Sequence, residues 1–458
     1  TFADDVAAMM TALTNRGVKQ VAWVNLAEIR TNSSGFTYRR HNDVLSAAER
    51  QWPNLRILDW NSAISDLGSQ ARWFSDGVHL TSTGQAEFAL WLFGEAATPA
   101  SAGSSFVALA PGRLLESRVG EASTVDGLFW KMGQRLKGSV TQLVVNGRGG
   151  VAADAAAVVL NVTVTGPARA GYLTVYPCDA TRPLASNLNY SAGQTIANTV
   201  TSKVGAAGKV CIYTSEPTHL IADINGFFPA GSSFVALAPG RLLESRVGEA
   251  STVDGLFWKM GQRLKGSVTQ LVVNGRGGVA GDAAAVVLNV TVTGPARAGY
   301  LTVYPCDATR PLAASNLNYS AGQTIANTVT SKVSADGKVC IYTSGPTHLI
   351  ADINGFFPAG SSFVALAPGR LLETRVGEAS TVDGLFWKIG QRSTGSVTQL
   401  VVNGRGGVAA DAAAVVLNVT VTGPARAGYL TVYPCDATRP LAASNLNYSA
   451  GQTIANTV

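Results

Sequence analysis

An aspartate and a histidine three residues apart are the pair in this sequence whose spacing best fits catalysis. They are Asp76 and His79, in the segment Trp73–Thr81, which reads WFSDGVHLT. On a turn, this spacing lets the carboxylate of Asp76 bind one ring nitrogen of His79, and the other nitrogen is left to take a proton from a nucleophile. The motif is short, so its meaning depends on the elements that position it.

Alternating helix and strand patterns surround this pair. Apolar residues at helical spacing predict a helix that starts near Phe2 and ends before Gly17. Ser82 and Gln85 have the spacing of a capping box, so we expect the last helix to be capped there. The intervening elements are predicted as a buried strand at Val21–Leu26, a helix at Tyr38–Trp52, a buried strand at Leu55–Trp60 and a closing helix at Ser82–Glu95. The pattern predicts an α/β domain.

The rest of the chain is a tandem repeat. The string SSFVALAPGRLLE begins at Ser104, Ser232 and Ser361, which gives periods of 128 and 129 residues. A period this long exceeds a solenoid unit, so we expect each copy to be a domain with its own core. Connectors such as Phe228–Ser233 have only a few residues, so neighbouring copies should lie close together.

Each copy has the pattern of an all-β domain. Its clearest run has Val158, Leu160, Val162 and Val164 alternating with Val159, Asn161, Thr163 and Thr165. This alternation predicts a half-buried strand, and similar runs predict eight or nine strands per copy. No long helical pattern interrupts them, which favours an antiparallel β-sandwich of jelly-roll type over a parallel sheet. A β-trefoil is the alternative, although no threefold sub-repeat is seen within a copy.

The cysteines follow the repeats. The predicted disulfide pairs are Cys178 with Cys211 and Cys306 with Cys340. Cys435 is the first half of a third pair, and we expect its partner beyond Val458. Disulfides imply an oxidising compartment, whereas buried free thiols or a metal site are the alternatives. Two cysteines without a histidine cluster make a poor zinc site, so we expect no metal and no cofactor.

An aromatic pair in each copy offers a candidate binding residue. The tryptophans of these pairs are Trp130, Trp258 and Trp387, and they are candidates for contact with a carbohydrate. Aromatic pairs in β domains more often fill cores, and we favour that interpretation.

Three polar motifs have structural interpretations beside functional ones. Asp223–Gly226 reads DING and offers oxygens for calcium, but Asn-Gly is first a turn signal, so we predict a turn. Arg113 and Arg118 are expected to pair with Glu116 or Asp223, or to contact an anion. The equivalent histidines of copies one and two are expected to be surface residues at strand starts, and these are His219 and His348.

Composition limits the class of protein. The chain has 458 residues, 46% apolar and 14% charged, which predicts several ordered domains. No apolar run reaches the roughly 20 residues of a membrane span. Residues 1–98 hold eight of the 35 basic and ten of the 29 acidic residues, so the repeats are basic. This excess favours anionic partners such as wall polymers, whereas the lack of a basic stripe argues against nucleic acid.

Residues 104–458 resemble a repeat domain of secreted and surface proteins of Gram-positive bacteria. The resemblance is carried by RLLESR, VVLNVTVTGPARAGYLTVYPC, SNLNYSAGQTIANTV, GKVCIYT and HLIADINGFF. It implies an extracellular location, either secreted or at the cell surface, and a role as accessory modules of exported enzymes.

Residues 19–95 resemble the C-terminal part of SGNH, or GDSL-type, hydrolases, through VAWVNL, NLRILDW and SDGVHLTSTGQAEFALWL. The resemblance implies flavodoxin-like α/β layers in which Asp76 orients His79, and His79 is the general base for a serine that attacks an ester. The serine, glycine and asparagine blocks precede this region in the family. No serine here has a GDS or G-x-S-x-G context, so we expect this chain alone to be inactive.

These resemblances predict a piece of an exported esterase or acyltransferase that acts on O-acyl esters of carbohydrate or cell-wall glycan. The repeats would be its binding or anchoring modules, with a glycan as partner. The alternative is a non-enzymatic surface or adhesive protein with a remnant hydrolase domain. The predicted domains are 1–98 (partial hydrolase), 99–105 (linker), 106–231, 234–360 and 363–458 (β repeats, the third truncated).

Overall fold

A computed structural model of the chain describes residues 1–16, 18, 21–26, 38–52, 54–61, 80–97, 106–311, 314–440 and 444–458. The chain divides into two compact units, Thr1–Gly103 and Ser104–Val458. Among the described residues there is no helix with both the length and the apolar character needed to cross a bilayer.

The first unit contains helices and strands in the predicted order. They are α1 (Phe2–Asn15), β1 (Val21–Val24), α2 (Arg39–Gln51), β2 (Leu55–Leu58) and α3 (Ser82–Ala97). β1 and β2 pair in parallel, with Val21 opposite Leu55, and α2 lies between them in the chain. Their core buries Val6, Met10 and Leu45, because the apolar faces of α1 and α2 meet there.

The cap of α3 differs from the prediction by one residue. The N–H of Gly84 donates to the hydroxyl of Thr81 over 3.0 Å, so Thr81 caps the helix and the predicted Ser82 does not. The helix starts at Ser82, and a capping oxygen must come from the residue just before the first helical residue.

In the part of the chain that the structure describes, the second unit is built from antiparallel strands, eight in each of the first two copies. Copy one contains β3 (Val107–Glu116), β4 (Val140–Val144), β5 (Ala157–Thr165), β6 (Gly171–Pro177), β7 (Leu188–Tyr190), β8 (Ile196–Lys203), β9 (Lys209–Thr214) and β10 (His219–Phe228). Copy two contains β11 (Val235–Glu244), β12 (Val268–Val272), β13 (Ala283–Thr293), β14 (Gly299–Pro305), β15 (Leu317–Tyr319), β16 (Ile325–Lys332), β17 (Lys338–Thr343) and β18 (His348–Pro358).

Each of these copies has two four-stranded sheets. In copy one their orders are β3-β10-β5-β8 and β4-β9-β6-β7, and copy two repeats both orders. Leu160 and Val162 of one sheet and Val175 and Ile212 of the other are fully buried in one apolar cluster. The predicted all-β, antiparallel, sandwich-like domains are therefore confirmed.

Copy three contains β19 (Asn418–Thr422), β20 (Gly428–Leu430), β21 (Leu446–Tyr448) and β22 (Thr453–Thr457). Within this copy, β19 pairs with β22 and β20 with β21. Residues 364–373 match β3 in sequence but form no ladder. In copy one, β3 pairs with β10, and the β10 sequence HLIADINGFF occurs in copies one and two but not between residues 363 and 458.

Both predicted disulfides are present. Cys178 is bonded to Cys211 and Cys306 to Cys340, and each bond joins the turn after one strand to a neighbouring strand of the same sheet. Cys435 is exposed and carries no disulfide.

Strand β5 is predicted to be half-buried, with one face in the core and the other in solvent. In the structure, its outer face is buried as well. Asn161 and Thr163, on that face, are 1% and 2% exposed. Their counterparts in copy two, Asn289 and Thr291, are also buried. The half-buried prediction is wrong because neighbouring copies pack on this polar face, a contact that a single copy's pattern does not encode.

The three copies form a closed ring. The contacts that close it run from the side-chain amide of Asn161 to the Ser444 carbonyl, from Asn289 to Ser186 and from Asn418 to Ser315. The same type of hydrogen bond thus joins copy one to copy three, copy two to copy one, and copy three to copy two. If the copies were stacked along a line or a screw, the first and last copies would not meet and one of these bonds would be missing. The copies are therefore related by rotation about a common axis.

Near this axis, equivalent threonines of the three copies contact one another at one level along it. The Thr328 hydroxyl donates to the Thr199 carbonyl, and the Thr457 hydroxyl donates to the Thr328 carbonyl. Thr199 lies opposite Asn161 in the sheet. The axis therefore passes beside β8, β16 and β22.

Equivalent residues also meet at a second level, through aromatic rings. The Phe228 and Phe357 rings are 5.9 Å apart, and the hydroxyls of Ser233 and Ser362 are 3.3 Å apart. Phe228 pairs with Ala157, four residues and about 13 Å along β5 from Asn161. The strands of this sheet therefore run along the axis.

The ring has two distinct ends. The linker end is defined by Phe228, Phe357 and the connectors that follow them. The loop end is defined by Thr165 and His219, which pair at the opposite end of β5 and β10.

We expect a maleimide reagent to label Cys435 in the folded, unreduced chain, because this thiol is exposed and unpaired. The other four cysteines should react only after reduction. Mass mapping of unreduced peptides measures both outcomes, and a labelled Cys178 or Cys306 in the unreduced chain would contradict the pairing.

Candidate functional site

Asp76 and His79 lie outside the described residues. The described part of the first unit does show a polar group at the carboxyl ends of β1 and β2. Asn25 donates from its side chain to Asp59 over 2.8 Å, and the N–H of Asn61 donates to Asn25 over 3.0 Å. This edge of a parallel sheet is where α/β domains bind ligands. Sequence reasoning missed Asn25 and Asp59, although each follows an apolar strand directly.

Each copy of the repeat carries a long loop at the loop end. We call residues 118–136, 246–264 and 375–393 the tryptophan loops. In copy one, the N–H of Glu116 donates to the Phe129 carbonyl over 3.0 Å, and the N–H of Lys131 donates to the Glu116 carbonyl over 2.8 Å. The loop is therefore held at the end of β3 by main-chain bonds on both sides of Trp130.

The two members of the aromatic pair have different environments. Phe129 packs against the apolar core, whereas Trp130 is half-buried at the surface. The indole N–H of Trp130 donates to the Glu121 carbonyl over 3.1 Å, and the Lys131 ammonium lies 3.8 Å from the ring centroid. The preferred core interpretation therefore fits Phe129 and does not fit Trp130. Trp258 and Trp387 repeat this arrangement.

The backbone of this loop is strained on both sides of the tryptophan. Phe129 and Lys131 both have φ of 54°, in the left-handed region. Such conformations cost on the order of 1–3 kcal/mol per residue and are concentrated at functional sites. Among the described residues, the non-glycine residues with positive φ are these two and their counterparts Phe257, Lys259, Phe386 and Lys388. The same strain thus recurs in all three copies.

A buried arginine anchors the middle of the loop. Arg148 donates to both carboxylate oxygens of Asp126, over 2.6 and 2.8 Å, and to the carbonyls of Val144 and Leu114. These charged hydrogen bonds hold the pKa of Asp126 at about 2, below its ordinary value. Asp254 and Asp383 are held in the same way by Arg276 and Arg405.

A second ion-pair network is buried beside the loop. Arg113 contacts Asp223 and Glu116, each over 2.6 Å, and Arg118 contacts Glu116 over 2.8 Å. Glu116 is fully buried. Of the two interpretations of these arginines, the described contacts are those of a structural ion pair.

Asp223 lies inside strand β10 rather than in a turn. The register of β10 shifts between Ile224 and Gly226, so Asn225-Gly226 forms a bulge and the predicted turn is wrong. A Cβ at Gly226 would lie 2.2 Å from the Phe106 ring, so the glycine allows this ring to pack on the strand. Burial raises the pKa of Asp223 to about 6, and the charge of Arg113 opposes the rise.

The histidines of the repeats begin strands, as predicted. His219 begins β10, and its Nδ1 lies 3.1 Å from the hydroxyl of Ser117. This serine–histidine pair does not resemble a catalytic dyad, because Ser117 is fully buried and its oxygen accepts the N–H of Leu220. Among the described residues, no group of three or more His, Cys, Asp or Glu is placed to hold a metal ion.

We expect Asp223→Ala to lower the free energy of unfolding by about 3 kcal/mol, because it leaves the Arg113 guanidinium buried with one partner fewer. Denaturant titration measures the loss. Asp154→Ala, at an exposed position, is the matched control and should change stability little. A loss below about 1 kcal/mol for Asp223→Ala would show that the pair is not needed.

The carboxylates of Asp126, Asp254 and Asp383 predict a pH dependence of stability. Their folded-state pKa of about 2 lies below the ordinary 3.8, so their contribution is present above pH 3.8 and is lost as the pH falls to about 2. The triple Asp→Asn variant should therefore melt at lower temperature than the wild type at pH 5, and the difference should shrink as the pH falls to 2. Thermal unfolding across this range tests it, and a constant difference would contradict the assignment.

No family model and no curated protein matches this sequence. A function for this chain therefore has to be argued from its residues.

Proposed function

We propose that this chain is part of an exported protein in which an SGNH-type hydrolase domain acts on O-acyl esters of carbohydrate or cell-wall glycan. The ring of repeats would serve as its accessory binding or anchoring module. The observation that carries the proposal is the position of the segment SDGVHLT in the sequence. It follows two parallel strands, β1 and β2, that are joined through helix α2, and it ends at Thr81, the residue that caps α3.

The proposed chemistry is ester cleavage or acyl transfer through a serine. Asp76 would hold one nitrogen of His79, and His79 would take the proton of the serine as its oxygen attacks the ester carbonyl. Backbone N–H groups with a glycine and an asparagine would stabilise the oxyanion. The serine and these donors must come from outside the given sequence, since no serine here has the required context.

Two features support export. Cys178–Cys211 and Cys306–Cys340 are disulfides, and such bonds persist in oxidising compartments. The basic excess of the repeats suits an anionic surface polymer.

A non-enzymatic adhesive protein is the second candidate, favoured by the three tryptophan loops with the same strained backbone. Pull-down of the chain with cell-wall fractions tests it. If the chain binds no fraction, the adhesive role and the glycan partner both fail.

The enzymatic proposal predicts the effect of His79→Ala in a protein that extends this sequence upstream to include the serine. We expect kcat/KM for an aryl acetate to fall by about a thousandfold or more, because the serine loses its base. His219→Ala, in the repeat, is the matched control and should leave the rate unchanged. An unchanged rate in His79→Ala would refute the assigned base.

A further inference from the structure

In copies one and two, most of the large exposed apolar side chains lie in the tryptophan loops. In copy one these are Val119, Val125, Leu128 and Leu136, of which Val119 and Leu136 are 76% and 71% exposed. Copy two exposes the four counterparts to the same degree, and copy three exposes Val376, Val382 and Leu385 but has Ser393 in place of the fourth. Trp130 lies among them on the same loop. Clustered exposed apolar residues mark interaction surfaces.

Basic side chains surround these apolar residues. Residues 118–137 contain four basic and two acidic side chains. Both acidic groups are engaged, Glu121 by Arg118 and Asp126 by Arg148 from outside the loop. Lys131 is exposed and lies over the Trp130 ring. Arg118 is itself paired with Glu116, and Lys137 with Glu216. The loop therefore combines exposed aliphatic side chains, a tryptophan and the exposed cation Lys131.

The ring places the three loops in one plane. Points related by rotation about an axis lie in a plane perpendicular to it, and the closed contacts of the copies establish that rotation. The strands run along the axis, and Trp130 and Arg135 lie towards the loop end, where they bridge to Glu116 and Thr218. Val125 lies further back along β3, where its N–H donates to the Arg113 carbonyl. The rotation therefore gives equivalent residues of the three loops the same height along the axis.

We propose that the three tryptophan loops dock the ring on the surface of an anionic lipid bilayer. Aliphatic and tryptophan side chains insert at the headgroup boundary, and lysines and arginines pair with lipid phosphates. The proposal names a partner for the anchoring role of the repeats and in that respect rests on the proposed function.

A lipid surface fits the loop better than a glycan does. The indole N–H of Trp130 is already bonded to Glu121, and the Lys131 ammonium covers one ring face. Sugar recognition needs an open ring face with polar groups around it to bind hydroxyls, whereas the exposed neighbours here are valines and leucines. A phosphate of a bilayer instead matches the exposed ammonium of Lys131.

Three coplanar loops also explain how weak contacts can anchor the chain. A single short loop with one or two apolar tips binds a bilayer weakly. Once one loop has inserted, the other two act at high effective concentration, because the ring holds them in place. Removal of one loop should therefore weaken binding partly, and removal of all three should abolish it.

The test is co-sedimentation of the full chain with vesicles of phosphatidylcholine alone or mixed with phosphatidylglycerol. We expect binding to the phosphatidylglycerol vesicles that weakens as salt rises, and little binding to phosphatidylcholine. Leu128→Asp alone should reduce affinity about tenfold, and with Leu256→Asp and Leu385→Asp about a hundredfold or more. All three leucines are 55% exposed, so the changes should leave the fold intact.

Leu184→Asp is the matched control, since Leu184 is 68% exposed but lies between β6 and β7, outside the tryptophan loops. It should bind vesicles as the wild type does. Absence of binding to phosphatidylglycerol vesicles, or equal binding by the triple variant, overturns the proposal. Binding to wall glycan that the triple variant loses, without vesicle binding, overturns it in favour of a glycan partner. Neither result depends on the esterase rate, so failure here is distinguishable from failure of the hydrolase assignment.

Discussion

The burial of a polar sheet face between the copies is the constraint on which the repeat unit depends. Asn161 and Thr163 are buried on the outer face of β5, and a buried polar group is costly unless it is hydrogen-bonded. Asn161 finds its partner at Ser444, which belongs to a different copy. Asn289 meets the same demand through Ser186, and Asn418 makes the equivalent bond to Ser315 at an exposed position. Closure thus gives the Asn161 amide a partner, whereas the buried hydroxyls of Thr163 and Thr291 have no hydrogen-bond partner in the described part of the chain.

Glu116 links this interface to the exposed surface. Its carboxylate holds Arg113, which in turn holds Asp223 on the face that meets copy three. Its main-chain N–H and carbonyl hold Phe129 and Lys131, the two strained residues beside Trp130. In copy three, which has no counterpart of Asp223 in the sequence up to Val458, Glu373 holds Phe386 and Lys388 in the same way and their φ angles are 53° and 56°, so the loop keeps its geometry without that part of the interface. Strain in the loop can persist since these surrounding contacts fix it.

The candidate sites differ in how far they could be predicted. Asp76 and His79 are recognisable from spacing and from the helix pattern that follows, whereas Asn25 and Asp59 meet only because β1 and β2 pair in parallel. The Phe-Trp pair was visible as a motif. Its division into a core-facing Phe129 and a surface Trp130 depends on positive φ at Phe129, which no local residue preference indicates, because glycine usually occupies such positions.

The sequence by itself determined the repeats, the order of elements in the first unit, the strands and the cysteine pairs, because periodicity and spacing are local properties. The tertiary structure decided which face of β5 is exposed, and it turned Asn225-Gly226 from an expected turn into a bulge under Phe106. It also decided that three copies close into a ring. Those outcomes depend on contacts between residues more than 100 positions apart, such as Asn161 with Ser444, whose partners no pattern within one copy specifies.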